Sequence, residues 1–166
     1  MGNTVTIQYL YLDLNTCDRC TGTDKVLEEV LCVLRPALEL AGYQVIYEKA
    51  EMTTVKDAVN YRFLSSPTIR VNGQDICASV RENACGCCSE ISGTDVTCRV
   101  FTYDGADYEI PPREMLAREI LGRVFAGPVP EDRDESYVLP RNLKDFYRGK
   151  MTQNVKCCCG GSTDCC

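Results

Sequence analysis

Thirteen cysteines and no histidine in 166 residues restrict what this chain can fold into and do. The cysteines fall into clusters. Cys17 and Cys20 form a C-x-x-C, and Cys85, Cys87 and Cys88 form a C-G-C-C. Cys157, Cys158, Cys159, Cys165 and Cys166 close the chain as C-C-C-G-G-S-T-D-C-C, while Cys32, Cys77 and Cys98 stand alone. An odd number, much of it in adjacent pairs, argues against a secreted disulfide scaffold, because bridged residues need Cα atoms several Å apart. The lack of histidine excludes Cys–His and Ser–His catalysis, histidine-bearing zinc sites and the usual near-neutral proton shuttle. What remains is sulfur chemistry by reduced thiols, which points to the cytoplasm. Cys32, in a helical apolar pattern, and Cys77, beside Ile76, read as small buried hydrophobes.

Composition permits a real core, with 45% apolar and 25% charged residues. The net charge of −6 opposes a phosphate backbone, so nucleic acid is not the expected partner. No apolar run reaches membrane-spanning length, and Met1-Gly2-Asn3-Thr4 lacks the basic and apolar regions of a secretory signal.

Residues 5–14 alternate as a strand that runs directly into the C-x-x-C. A helix is predicted from Thr23 to Ala41 on the stripe Val26, Leu27, Val30, Leu31, Leu34 and Leu38, kinked or split by Pro36. A strand at 43–50 and a helix at 54–64 follow. Thr68–Val71 and Gln74–Ile76 flank a type I′ turn at Asn72-Gly73. Residues 83–97 read as a Cys-, Gly-, Ser- and Thr-rich loop, and 98–110 as a second hairpin turning at Asp104-Gly105. Pro111-Pro112 then open a helix reaching about Phe125. The expected organisation is a domain over 1–126, a linker and short amphipathic helix over 127–151, and a flexible Cys-rich tail over 152–166. Leu143, Phe146 and Tyr147 would dock the short helix on the domain.

A strand, a C-x-x-C, a helix, a strand, a helix and a Ser66-Pro67-Thr68 opening a hairpin: this order resembles the thioredoxin and glutaredoxin superfamily over roughly residues 4–125. The pattern is also similar to an uncharacterised bacterial family of thioredoxin-like proteins with C-x-R-C, S-S-P-T-I and a late Pro-Pro helix, some found alongside arsenic-resistance functions. The resemblance implies an α/β thioredoxin-like fold, a central mixed sheet flanked by helices, with a Cys-rich loop and hairpin (about 83–110) inserted before the last helix. It also implies a cis Pro67 packed against the C-x-x-C, presenting backbone to a partner chain, with Arg19, Ser66 and Thr68 on the substrate side. Asp18-Arg19 inside the motif and the lack of a preceding Trp depart from that pattern. Gly22 would delay the helix to Thr23, leaving both thiols in a loop.

Two functions fit. One is a thiol–disulfide oxidoreductase in which an exposed Cys17, aided by a helix N-terminus and Arg19, is the nucleophile and Cys20 resolves the mixed disulfide. It requires no cofactor and acts on a thiol or disulfide protein or a small thiophilic substrate. The other is a sequestering protein whose Cys85, Cys87, Cys88 and tail cysteines 157–159, 165 and 166 bind zinc or another thiophilic metal or metalloid such as arsenite. A structural four-cysteine zinc site would instead join Cys17 and Cys20 to two of Cys85, Cys87 and Cys88. The middle cluster is expected to converge on the C-x-x-C, or else to be pinned locally by a Cys85–Cys88 or Cys87–Cys98 disulfide. The tail is expected to be a mobile thiol arm, dispensable for folding.

Overall fold

The computed structural model describes residues 3–77, 79–127 and 136–159, with side chains to Asn154. β1 (Asn3–Tyr11) alternates as its pattern predicts: Val5, Ile7 and Tyr9 are buried, and Thr4 is exposed. It pairs in parallel with β2 (Tyr43–Glu51), from Asn3 opposite Tyr43 to Tyr11 opposite Glu51. On its other side it pairs antiparallel with β3 (Thr68–Val71), which pairs antiparallel with β4 (Gln74–Asp75). The result is a four-stranded mixed sheet ordered β2-β1-β3-β4. Asn72 and Gly73 both take positive φ in the β3–β4 turn, as a type I′ hairpin requires.

Helix α1 (Asp18–Leu40) and helix α4 (Arg113–Ala126) pack on this sheet. Leu27, Leu31 and Leu38 from the first, and Leu116, Ile120 and Val124 from the second, join Val5, Ile7, Tyr9 and Ile69 in one core. Pro36 does not split α1. Pro36 and Cys32, whose carbonyl it deprives of a partner, both lie on the exposed face, where water can serve that carbonyl. Cys32 is thus exposed, contrary to expectation: it follows Leu31 by about 100° around the helix and leaves the apolar stripe. Cys77 is half-buried.

The segment expected as a loop is folded. β5 (Arg81–Ala84) pairs with β6 (Thr97–Tyr103), which pairs with β7 (Ala106–Tyr108), making a second, antiparallel sheet. Between β5 and β6 lies α3 (Gly86–Ser92), ended by Gly93 in the left-handed region. Arg99 on β6 fastens the two sheets. Its backbone N–H donates to Ser66 O (2.7 Å), and its fully buried Nη1 donates to both carboxylate oxygens of Asp75 (2.7 and 2.6 Å). The short helix α2 (Val55–Asn60) is closed by a Thr54–Asp57 capping box.

Helix α5 (Arg141–Cys159) extends well beyond the predicted short segment, so residues 152–159 are helical rather than tail. Residues 160–166, with Cys165 and Cys166, lie outside the described residues, as do the side chains of Cys157, Cys158 and Cys159. As expected, α5 docks through Leu143, Phe146 and Tyr147, all buried. Asn142 brackets Thr97, accepting its N–H (3.0 Å) and donating to its carbonyl (2.7 Å), and Tyr147 donates to Met52 O (2.7 Å). At Gly149 the helix crosses α3 so closely that a Cβ would strike the Ser92 carbonyl. Gly149→Val should therefore lower stability by about 2 kcal/mol, read as a shifted urea midpoint; an unchanged midpoint would mean that the crossing is looser than described. Among the described residues no helix is long and apolar enough to cross a membrane.

Candidate thiol site

β1 hands the chain to α1 through residues 12–16, and Asp13 shapes that turn. Its carboxylate accepts the N–H groups of Thr16 (2.6 Å) and Cys17 (3.1 Å). Partial burial works against its charge, yet the bonds from Thr16, Asn15 and Cys17 hold its pKa below the usual value. With those amides satisfied, the helix begins at Asp18 and not at Thr23: Cys17 is its N-cap, and Thr21 N–H donates to Cys17 O (2.9 Å). Cys20 lies in the first turn, its carbonyl accepting the Tyr9 hydroxyl (2.6 Å).

The second sheet brings the other sulfurs. Cys85 caps α3, Cys88 sits in its first turn, and Cys98 lies on β6. The Sγ atoms of Cys17, Cys85 and Cys88 lie within 4.8 Å of one another. Cys88 Sγ is 3.9 Å from Cys17 Sγ and 3.5 Å from Cys98 Sγ. Cys20 Sγ faces Ser66 Oγ at 3.3 Å, and the Ser66–Pro67 bond is cis, as the resemblance implied. All five cysteines are buried among Leu10, Leu12, Met52, Phe63, Phe146 and Tyr147. Every cysteine with a described side chain is a free thiol.

In this apolar setting the sulfurs have mainly one another as polar partners. Hydrogen bonds from Cys17, then Cys88 and Cys98, stabilise a thiolate at Cys85 and lower its pKa. Bonds to Cys17, Cys85 and Cys98 hold the proton on Cys88 and raise its pKa. Cys17 is raised by its bonds to Cys20 and Cys85, and Cys20 is lowered by Cys17. Cys17 is thus neither exposed nor the most acidic sulfur: its relative exposure is 0%.

Arg19 has a different place from the one expected. It is buried, and its guanidinium turns away from solvent toward the second sheet. Nη1 donates to the carbonyls of Cys98 (2.9 Å) and Arg99 (3.2 Å), and Nη2 to Ala84 O (3.3 Å) and Glu109 (2.8 Å). Those carbonyls belong to the segments carrying Cys85 and Cys98, so this one side chain holds both against the C-x-x-C. Arg19→Lys keeps the charge but cannot reach four acceptors in a fork. It should cost on the order of 2 kcal/mol in urea unfolding, whereas an unaltered midpoint would show that the clamp carries no stability. Ser66 and Thr68 are likewise buried, Ser66 Oγ accepting Leu12 N–H (3.1 Å) and Thr68 donating to Ser65 O (2.6 Å).

Cys87, only half-buried, stands outside the 4.8 Å group. Cys77 lies away from the cluster, and burial, then Asp75, pushes its thiol up to about 11. Iodoacetamide at pH 7.5 should label Cys77 about 100-fold more slowly than an unfolded peptide thiol; equal rates by mass mapping would contradict that burial. Sequence reasoning missed Cys98 as a member of the cluster, since its place depends on the second sheet folding over α1.

Fold and site together define a mixed α/β domain with a buried multi-cysteine centre. Residues 5–120 match a family described as a domain of unknown function, DUF2703, and the chain belongs to that family. No curated protein and no solved structure matches it.

Proposed function

We propose that this chain is a thioredoxin-like protein that binds a soft metal or metalloid through Cys17, Cys85 and Cys88. The observation that carries the reading is the mutual approach of three buried sulfurs, within 4.8 Å, from segments about seventy residues apart. Thiolates select thiophilic cations such as zinc or Cu(I), and arsenite likewise takes three sulfurs. The thioredoxin-like assignment is supported by the sheet order β2-β1-β3-β4 and by the C-x-x-C at the start of α1. Free thiols suit a reducing compartment such as the cytoplasm.

A second reading, thiol–disulfide exchange by Cys17 and Cys20 on a protein or small thiophilic substrate, is favoured by their place at the N-terminus of a long helix. One anaerobic experiment separates the two. The protein is titrated with Zn²⁺ and with arsenite, and its reduction of a model disulfide is followed in parallel, for the intact chain and Cys85→Ala. Binding predicts that Cys85→Ala loses about 10-fold or more in affinity at the core site. Exchange predicts that the same variant keeps disulfide turnover, while Cys17→Ser abolishes it. Full retention of metal affinity in Cys85→Ala would refute the binding reading.

A further inference from the structure

The three sulfurs of the 4.8 Å group leave one corner of a tetrahedron open, and a fourth buried sulfur stands beside it. We propose that Cys98 is that corner, so that Cys17, Cys85, Cys88 and Cys98 form a tetrathiolate cage for a tetrahedral d10 cation of the zinc class. This rests on the binding reading above and deepens it by naming the ligand set and the cation.

Distances favour the assignment. A zinc–sulfur bond of about 2.3 Å puts the sulfurs of a regular tetrahedron about 3.8 Å apart. Cys17 and Cys88 stand at 3.9 Å, and Cys88 and Cys98 at 3.5 Å, so these two edges need adjustments of a few tenths of an ångström. Cys98 falls outside the group of sulfurs all within 4.8 Å of one another, so its other edges must close further as the cation draws its sulfur inward. Cys98 is fully buried, as are Cys17 and Cys88, and Cys85 is 4% exposed. A closed, four-sulfur structural site has this character, whereas a catalytic site keeps a position open to water.

The two remaining nearby thiols are excluded for separate reasons. Cys20 has its sulfur engaged with Ser66 Oγ (3.3 Å), a polar partner outside the cage. Cys87 is half-buried at the edge of the cluster, and no contact joins its sulfur to the other four. The backbone around the proposed cage is fixed independently of any ion. Arg19 holds the carbonyls of Cys98 and Ala84, the residue before Cys85, and Cys85 N–H donates to Val96 O (2.9 Å). Binding converts the four thiols to thiolates and releases their protons to solvent.

Three and four sulfurs are chemically distinguishable. Arsenite is satisfied by three, so Cys98 is dispensable for it, while a tetrahedral cation needs the fourth. The test uses the full-length chain with its five tail cysteines changed to serine, which leaves the core thiols as the soft donors. It is loaded anaerobically with Co²⁺, a tetrahedral reporter for zinc. Cys98→Val keeps the core filled and removes one sulfur; Cys98→Ser is the polar counterpart, and near-UV circular dichroism shows that each variant is folded. The expected result is a loss of about a quarter of the thiolate-to-cobalt charge-transfer intensity, one ligand in four. Zinc affinity should fall about 10-fold or more, with arsenite affinity unchanged within about twofold. Cys20→Ser and Cys87→Ser should leave the cobalt spectrum as it was. Loss of intensity in Cys20→Ser or Cys87→Ser, with Cys98→Val unaffected, would overturn the assignment of Cys98 alone. No cobalt bound by the parent would overturn the binding reading itself, and the cage with it.

Discussion

Ending the chain at Pro140 is expected to give a protein that no longer unfolds cooperatively and whose core thiols all react at once with alkylating reagents. α5 supplies Leu143 and Phe146, both fully buried, and Tyr147, 4% exposed, as one wall of the core that holds the cysteines. Each such side chain contributes about 2 kcal/mol by burial alone, and the space it leaves costs a similar amount again. The sum is comparable to the whole stability of an ordinary domain, about 5–15 kcal/mol. Loss of Asn142 would also leave Thr97 N–H and C=O unpaired, next to Cys98 in sequence. The comparison is a chain ended after Asn154, which keeps every one of these contacts and should melt within a few degrees of the parent. Calorimetry of the two truncations checks this directly. A cooperative transition in the chain ended at Pro140 would show that α5 is an accessory and not a wall.

The second large effect is expected at Cys88. Its sulfur meets Cys17 at 3.9 Å and Cys98 at 3.5 Å, and it also bonds Cys85, so it touches every other member of the group. Cys88→Ala removes a fully buried sulfur of the 4.8 Å group, whereas its chain neighbour Cys87 is only half-buried. Soft-metal affinity at the core should fall by about 100-fold, the upper end of what loss of even an outer-shell partner costs. A buried cysteine behaves as a small hydrophobe, so the cost in stability should be only about 1 kcal/mol. The diagnostic result is therefore a near-normal urea midpoint with lost zinc competition against a chelator. Normal competition in Cys88→Ala would place the metal elsewhere in the chain.

Much of the fold was legible where local chemistry dictated it. Asn72-Gly73 and Asp104-Gly105 turn with positive φ at both residues, as their dipeptides announce. Pro111-Pro112 precede α4, and the alternation of Val5, Ile7 and Tyr9 marked β1. The start of α1 was misread because Gly22 seemed to forbid a helix there. Asp13 satisfies the amides ahead of Cys17, and Gly22 is where Ile110 packs against the helix, so the first turn forms around it. α3 escaped notice since its seven residues carry no apolar period; it is held by tertiary bonds, such as Ser89 Oγ accepting Val96 N–H (2.9 Å).

The site was legible in its parts and not in its assembly. C-x-x-C and C-G-C-C named Cys17, Cys85 and Cys88, but not which sulfurs would meet. Cys98 looked like the first residue of a strand, and only the pairing of β6 beside β5 turns it toward Cys88. Arg19 suggested an activating charge at the motif, whereas its side chain reaches across about eighty residues of sequence to clamp the second sheet. That distance in sequence is what no local pattern encodes.

The most direct measurement is X-ray absorption at the zinc edge, on full-length protein with its five tail cysteines changed to serine and one equivalent of Zn²⁺. Zinc should survive desalting with a shell made of sulfur alone, at about 2.3 Å. A shell with nitrogen or oxygen at about 2.0–2.2 Å, or no retained zinc, would contradict it.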